Sequence, residues 1–371
     1  MKPHLRTQKH QPAAGNRSHV TIVIMAGGRG ERLWPLVRTN KPKVCLSIDG
    51  KHSLLEATID RLRGLWPDAR WLIVTTNGQE DAIRDCLRHS NQRTPNLENS
   101  LLVEPQPKNT AACIGLAAIA LAIRNPREIM VVMPADHWIR NVWAFRKNLR
   151  TAIRAALAHD TIVTIGIHPT YPHCGLGYLC AGTPLTTGVF RLDRFVEKPT
   201  RSVAAQLIRR PRTFWNSGIF IGAADTFLEC LTEYLPNHIC RLFPLANRVG
   251  RKSFVHRAQV AYRHLDNISF DHGVMDMLTR AIVVEGRFDW MDLGSWDAWA
   301  HLCRSPKTVG IESRNVTVIG EESHLVATIG VRNLIVVQSP SATLICSPKA
   351  SQEVRQLLRQ LAQRPQLKPY Q

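Results

Sequence analysis

Three observations on this 371-residue chain predict an α/β protein. Short β-branched runs alternate with stretches of helical period from Val20 to about residue 167, glycines follow directly on the first run, and after about residue 304 short β segments take over. Strands and helices that take turns with short connections build a mostly parallel sheet, because each parallel crossover returns through a helix laid on one face. The expected architecture is therefore Rossmann-like, a mostly parallel sheet with helices on both faces, plus a small C-terminal β-rich domain. Expected bounds are a disordered basic tail over 1–19, a main domain over 20–304, and a β-rich domain with a terminal helix over 305–371.

The first strand is Val20-Thr21-Ile22-Val23-Ile24. Ser53 opens a helix with apolar positions at Leu55, Ile59, Leu62 and Leu65, and Glu56 three residues on completes a capping-box pattern. A buried strand follows at Trp71-Leu72-Ile73-Val74, then a helix near 79–88 and a strand at Leu101-Leu102-Val103. A helix across 109–124, a strand at Ile129-Met130-Val131-Val132, a helix at 143–158 and a strand at 161–167 continue the alternation. The last segment offers Val316–Ile319, Leu325–Ile329 and Leu334–Val337 as strands, and 350–363 as a helix.

Composition removes several function classes. No run of about 18 apolar residues exists, so no membrane span is expected. Residues 1–19 carry Lys2, Arg6, Lys9 and Arg17 without an apolar core, unlike a secretory signal. The nine cysteines lack CxxC spacing and several lie in apolar segments, which fits a reduced, cytoplasmic compartment; Cys45, Cys113 and Cys346 read as small hydrophobes. A formal charge of +19 raises the question of nucleic acid. The cations are spread along the chain without aromatic interleaving or a recognised motif, so no nucleic-acid partner is expected. Such a field would draw an anionic substrate.

Ligands of open α/β sheets gather at the carboxyl ends of the strands, where the chemistry-bearing residues of the first half fall. Ala26-Gly27-Gly28-Arg29-Gly30 follows the first strand directly, so backbone N–H groups can close on an anion without a Cβ in the way. Arg32 can add a bidentate guanidinium and Lys43 a mobile point charge. Glu104 ends a strand, and Asn109-Thr110 begin a helix, where they serve equally well as a cap or as a base or phosphate contact. Asp136, directly after its strand, is either a helix cap or a ligand for a hard cation. Gly175 and Gly177 allow close approach of a sugar ring. Glu197-Lys198 reads alone as a surface ion pair, and Asp292, flanked by Trp290 and Trp296, as an acid buried with a partner.

In sequence order these motifs are more specific. AGGRGERLWPLVRTNKPK, EPQPKNTA, PADH, FVEKP, WNSGIF, SFDHGVMD and DWMDLGSW together resemble the sugar-nucleotide pyrophosphorylases, over residues 20–349, and within them the mannose-1-phosphate guanylyltransferases. The resemblance implies GTP and mannose 1-phosphate as substrates, Mg²⁺ as cofactor, and room for a homodimer. It implies catalytic cations at Arg32 and Lys43, and nucleotide contacts at Ala26, Gly27, Gly28, Arg29, Gly30, Glu104, Asn109 and Thr110. Sugar-phosphate contacts fall at Gly177, Glu197, Lys198 and Asn216, and metal ligands at Asp136 and Asp292. Departures from the family pattern stand at Glu31, where threonine is usual, at Val44-Cys45 for Gln-Phe, at His173-Cys174 for Glu-Thr, and at Asp276 for Glu. The isomerase module of longer bifunctional relatives is not expected. A nicotinamide dehydrogenase would need a third glycine at Leu33, and a silent regulatory subunit would have no use for the full set of cations and acids.

Overall fold

The computed structural model describes residues 19–38, 41–48, 50–90, 97–249, 253–303, 307–320 and 324–370. The tail expected over 1–19, except His19, and the boundary expected at 304/305 lie outside the described residues.

The first β-branched run forms β1 (Val20–Met25), with Val20, Ile22 and Ile24 facing one core and Val23 the other. A strand apolar on both faces belongs inside a covered sheet. In chain order the strands that follow are β2 (Arg70–Thr76), β3 (Leu101–Glu104), β4 (Ile129–Pro134), β5 (His137–Ile139) and β6 (Ile162–Ile167). After them come β7 (Tyr178–Thr186), β8 (Val189–Val196), β9 (Thr213–Ala223), β10 (Ala281–Gly286) and β11 (Trp290–Asp292). Nine of them form one sheet in the order β3-β2-β1-β4-β9-β6-β10-β8-β7. The strands β3, β2, β1 and β4 run parallel, as does the pair β6–β10. Antiparallel pairing enters with the second half of the chain, since β9 slots between β4 and β6, and β8 lies against β10.

Helices α1 (Leu54–Leu62), α2 (Glu80–Ser90), α3 (Asn109–Ala122), α4 (Val142–His159) and α5 (Arg201–Leu207) are followed by α6 (Ala224–Tyr234), α7 (Pro236–Leu242) and α8 (Ser253–Arg263). One face of the sheet carries α1, α2 and α4, through Leu55, Ile83 and Phe145; the other carries α3, α6 and α8, through Ile114, Phe227 and Tyr262. The capping box is formed: Ser53 Oγ accepts from Glu56 N and Glu56 Oε2 from Ser53 N. Helix α3 is buried on nearly every side, and a Cβ on Gly115 would stand 3.0 Å from Leu242 Cδ1, so glycine lets α7 pack close against α3.

Beyond the sheet lie α9 (Trp296–Leu302), β12 (Thr308–Ile311), β13 (Arg314–Ile319), β14 (Val326–Ile329), β15 (Arg332–Ser339), β16 (Ala342–Cys346) and α10 (Val354–Gln363). The pairs β12–β14 and β13–β15 are parallel, and β16 returns antiparallel to β15. A third core joins this segment to the first loop, packing Leu33 and Trp34 with Trp296, Trp299, Val337 and Val354. Trp296 Nε1 donates to Trp34 O at 2.9 Å, so the loop after β1 is held from the far end of the chain. No disulfide joins any of the nine cysteines; Cys113 is buried, while Cys45 and Cys346 are half-buried. Among the described residues no helix is long and apolar enough to cross a membrane.

Candidate active site

The loop after β1 owes its path to glycine at two points. Gly30 takes φ +64°, and a Cβ there would stand 2.6 Å from Lys43 Cβ. Gly27 packs on Thr76 Cγ2, while the space around Gly28 is open for 4 Å. The turn Lys43–Cys45 then brings Lys43 under the loop, buried at 6% exposure. Its Nζ lies 2.6 Å from Asp136 Oδ2 and 3.6 Å from Asp292 Oδ1. Burial alone would lower the Lys43 ammonium, but the two carboxylates outweigh it and hold it above its ordinary range. Burial likewise opposes the charge on Asp136, and Lys43, helped by His137, holds its carboxyl below the usual range.

Asp136 and Asp292 are 156 positions apart in numbering, and a short antiparallel ladder brings them together. In it β5 pairs with β11, with His137 opposite Asp292. Arg61, buried on α1, donates through Nη1 to His137 O at 2.7 Å and fixes the start of β5. The His137 ring packs edge-on against Trp290. Arg32 is half-buried; burial and the nearby Arg355 lower its guanidinium, against the pull of Asp292 and Asp297.

A cleft of about 480 Å³ opens over the loop, lined by Gly28, Arg29, Lys43, Glu104, Asn109 and Asp136 among others. Glu104 is buried and pushed up to about 8, by desolvation above all, although Tyr262 Oη donates to its Oε1 at 3.1 Å. Asn109, at φ +67°, accepts from Thr110 N through its own Oδ1. Thr110 Oγ1 accepts from Phe270 N at 2.8 Å, a tie between α3 and the Phe270 segment.

The residues expected to meet the sugar phosphate form a second cluster. A Cβ on Gly177 would stand 2.7 Å from Glu197 Oε2, so Glu197 lies flat on the glycine. Lys198, at φ +42°, pairs with Glu197 at 2.8 Å. Buried Asn216 donates through Nδ2 to Asp271 Oδ1 at 2.6 Å, and its Oδ1 accepts from Thr164 Oγ1 and Gly218 N. The Asp271 carboxyl is pushed up to about 6 by burial and by the Glu197 charge. The two clusters meet where Gly218 backs on Pro134, which lines the cleft.

Four residues of the site, Asp271, Tyr262, Arg61 and Arg355, are not among those the sequence singles out. Only the first carried a signal, the acid directly after Ser269-Phe270. The three-residue strands β5 and β11 are too short to show a period. Glu31, the acid that stands where the family pattern has threonine, lies 3.6 Å from Arg29 Nη1 and 3.7 Å from Arg355 Nε.

Residues 21–309 match the family described as nucleotidyl transferase. The chain belongs to that family. Residues 306–361 match a mannose-phosphate isomerase/GMP-like beta-helix domain. A mannose-1-phosphate guanylyltransferase of Escherichia coli K12 is 33% identical over 360 residues, 93% of this chain and 74% of that protein. The Klebsiella pneumoniae protein of the same name is 32% identical over 92% of this chain and 74% of its own length. Among solved structures, one titled a mannose-1-phosphate geranyltransferase, from Thermus thermophilus, superimposes with a TM-score of 0.80 at 32% identity, over 93% of this chain and 100% of that one. A UDP-glucose pyrophosphorylase shares the nucleotidyl transferase fold at a TM-score of 0.53 and 16% identity, covering 76% of this chain and 97% of that one.

Proposed function

We propose that this nucleotidyl transferase moves a guanylyl group from GTP to mannose 1-phosphate, giving GDP-mannose and pyrophosphate. The observation that carries the reading is the convergence of Asp136 and Asp292 on Lys43 beneath a glycine loop. The naming of its relatives supports the choice of substrates.

Two acids from distant segments that already share one ammonium are a donor set suited to a hard divalent cation. Among the described residues no group of three or more His, Cys, Asp or Glu forms a cage. An ion held by two carboxylates would complete its shell with phosphate and water, the habit of Mg²⁺. When bound, Mg²⁺ would neutralise the phosphates and polarise the reacting phosphoryl group. Asp136 and Asp292 would hold it.

An oxygen of the sugar phosphate attacks the α-phosphorus in line, and pyrophosphate leaves. That oxygen is anionic at neutral pH, so the reaction needs no general base. The barrier is repulsion between two polyanions, and the chain's contribution is alignment and charge. Lys43 and Arg32 supply fixed cations, and the backbone of Gly27–Gly30 an N–H-lined bed; the nucleotide contact expected at Ala26 falls away, because its N–H is given to Val74 O at 2.7 Å and the residue is buried off the cleft. Glu104, Asn109 and Thr110 would meet the nucleotide. Glu197 and Asn216 would accept from and donate to sugar hydroxyls, with Lys198 against the sugar phosphate. The division into residues 20–304 and 305–371, a cytoplasmic setting and a homodimer belong to the same proposal.

The test is pyrophosphate release by the purified protein with Mg²⁺, each of the four NTPs and a panel of sugar 1-phosphates. Release with GTP and mannose 1-phosphate alone is expected. Preference for another pair would reassign the substrates, and none with any pair would overturn the catalytic reading.

A further inference from the structure

Arg355 stands in the first turn of α10, more than three hundred residues after the glycine loop in sequence, yet it lines the same cleft as Gly28, Arg32 and Lys43. Its neighbour Val354 is buried in the core that also takes Leu33 and Trp34, so the backbone of α10 is anchored against the loop. The Arg355 side chain is 54% exposed, with Nε 3.7 Å from Glu31 Oε2. Arg29 reaches the other oxygen of the same carboxylate at 3.6 Å.

Guanidiniums crowd this end of the cleft, although Asp292 and Asp297 also act on Arg32. Arg29, Arg32 and Arg355 gather around the loop, and Glu31 is the acid that Arg29 and Arg355 share, at distances longer than a direct hydrogen bond. Among the described residues Arg32 Nε is buried without a hydrogen-bond partner, and burial, together with the like charge of nearby Arg355, lowers the Arg32 guanidinium. Guanidiniums held together in a cleft with donors to spare are matched by a ligand rich in oxygen and negative charge. Glu31 occupies a position where threonine is usual in the family this sequence resembles; here it gives the exposed Arg355 a weak resting partner that a stronger anion can displace.

We propose that Arg355, from the C-terminal helix, binds the β- and γ-phosphates of the incoming nucleotide, and pyrophosphate in the reverse direction, leaving Glu31 as it does so. The inference rests on the nucleotidyl-transfer reading above and adds a substrate ligand from outside the nucleotidyl transferase segment. It also separates ligands by chemistry. GTP and pyrophosphate carry the phosphates that Arg355 would hold, whereas GDP-mannose presents a diester and GMP a single phosphate.

The experiment is calorimetric binding of Mg²⁺-pyrophosphate, GTP and GDP-mannose to the full-length protein and its Arg355→Ala and Arg355→Lys variants. Arg355→Ala should weaken pyrophosphate and GTP by about tenfold or more and leave GDP-mannose within about twofold, with partial recovery in Arg355→Lys. Unchanged pyrophosphate affinity in Arg355→Ala would overturn the proposal. An equal loss for all three ligands would overturn it as well, showing that Arg355 only seats α10. Pyrophosphate binding is read without turnover, so Arg355-dependent binding in a protein that releases no pyrophosphate with any substrate pair would uphold this assignment while removing the catalytic one.

Discussion

The proposed phosphate end and the proposed sugar end of this site handle buried charge in opposite ways. At the proposed phosphate end Lys43 lies between Asp136 and Asp292; Lys43 and Asp136 hold one another ionised against burial, and the Asp292 charge adds to the hold on Lys43. At the sugar end two acids, Glu197 and Asp271, lie near one another with an amide and the exposed Lys198 for company, and Asp271 rises to about 6. The first arrangement presents permanent charge to polyanions, where neutralising repulsion is the task. The second presents acceptors and one amide, which suit hydroxyl groups that must be oriented rather than neutralised. On the proposed assignment, one site divides its work between electrostatics and recognition.

The largest effect should come from breaking the phosphate end. Lys43→Ala or Asp292→Ala is expected to lower turnover on the order of a hundredfold, about 3 kcal/mol in the barrier, with the fold intact by circular dichroism. Wild-type-like turnover in both would dissolve the contrast. At the sugar end Asn216→Ala should act on recognition, raising KM for the sugar phosphate about tenfold while KM for the nucleotide stays within about twofold. A fall in kcat with both KM values unchanged would place Asn216 in the charge machinery instead.

Glu104 sharpens the comparison, because it lines the phosphate-end cleft yet behaves like Asp271. Its carboxyl sits at about 8 when folded against an ordinary value of 4.5. The unfolded chain therefore loses this proton near pH 4.5 and the folded chain keeps it to about 8, so its contribution to stability falls as pH rises between those values and is level above them. Glu104→Gln should flatten the urea stability profile across that window, with a gain on the order of a few kcal/mol by pH 8. An unchanged slope would show that Glu104 is ionised. The smallest effect is expected from Glu31→Thr, which removes only exposed, long ion pairs and should shift stability by less than about 1 kcal/mol in thermal melts.

The strand and helix alternation of the first half was legible because each element is long enough to display its period, as in Ser53–Leu62 with its capping box. The antiparallel insertion of β9 was not, since an apolar run such as Ile219–Ala223 reads alike in either direction. Individual site residues were visible where a residue type has few uses, as with Gly30 beside Lys43. Their partnerships were not. Asp136 meets Asp292 through a ladder of three residues per strand, and Arg355 reaches the loop only because Trp34 and Val354 share a core.

The central claim is that two acids distant in sequence hold one divalent ion together with the nucleotide. Electron paramagnetic resonance of Mn²⁺, titrated with GTP present into the wild type and into Asp136→Asn and Asp292→Asn, measures this directly. Each variant should bind the ion about tenfold more weakly or worse. Wild-type affinity in either variant would contradict the account.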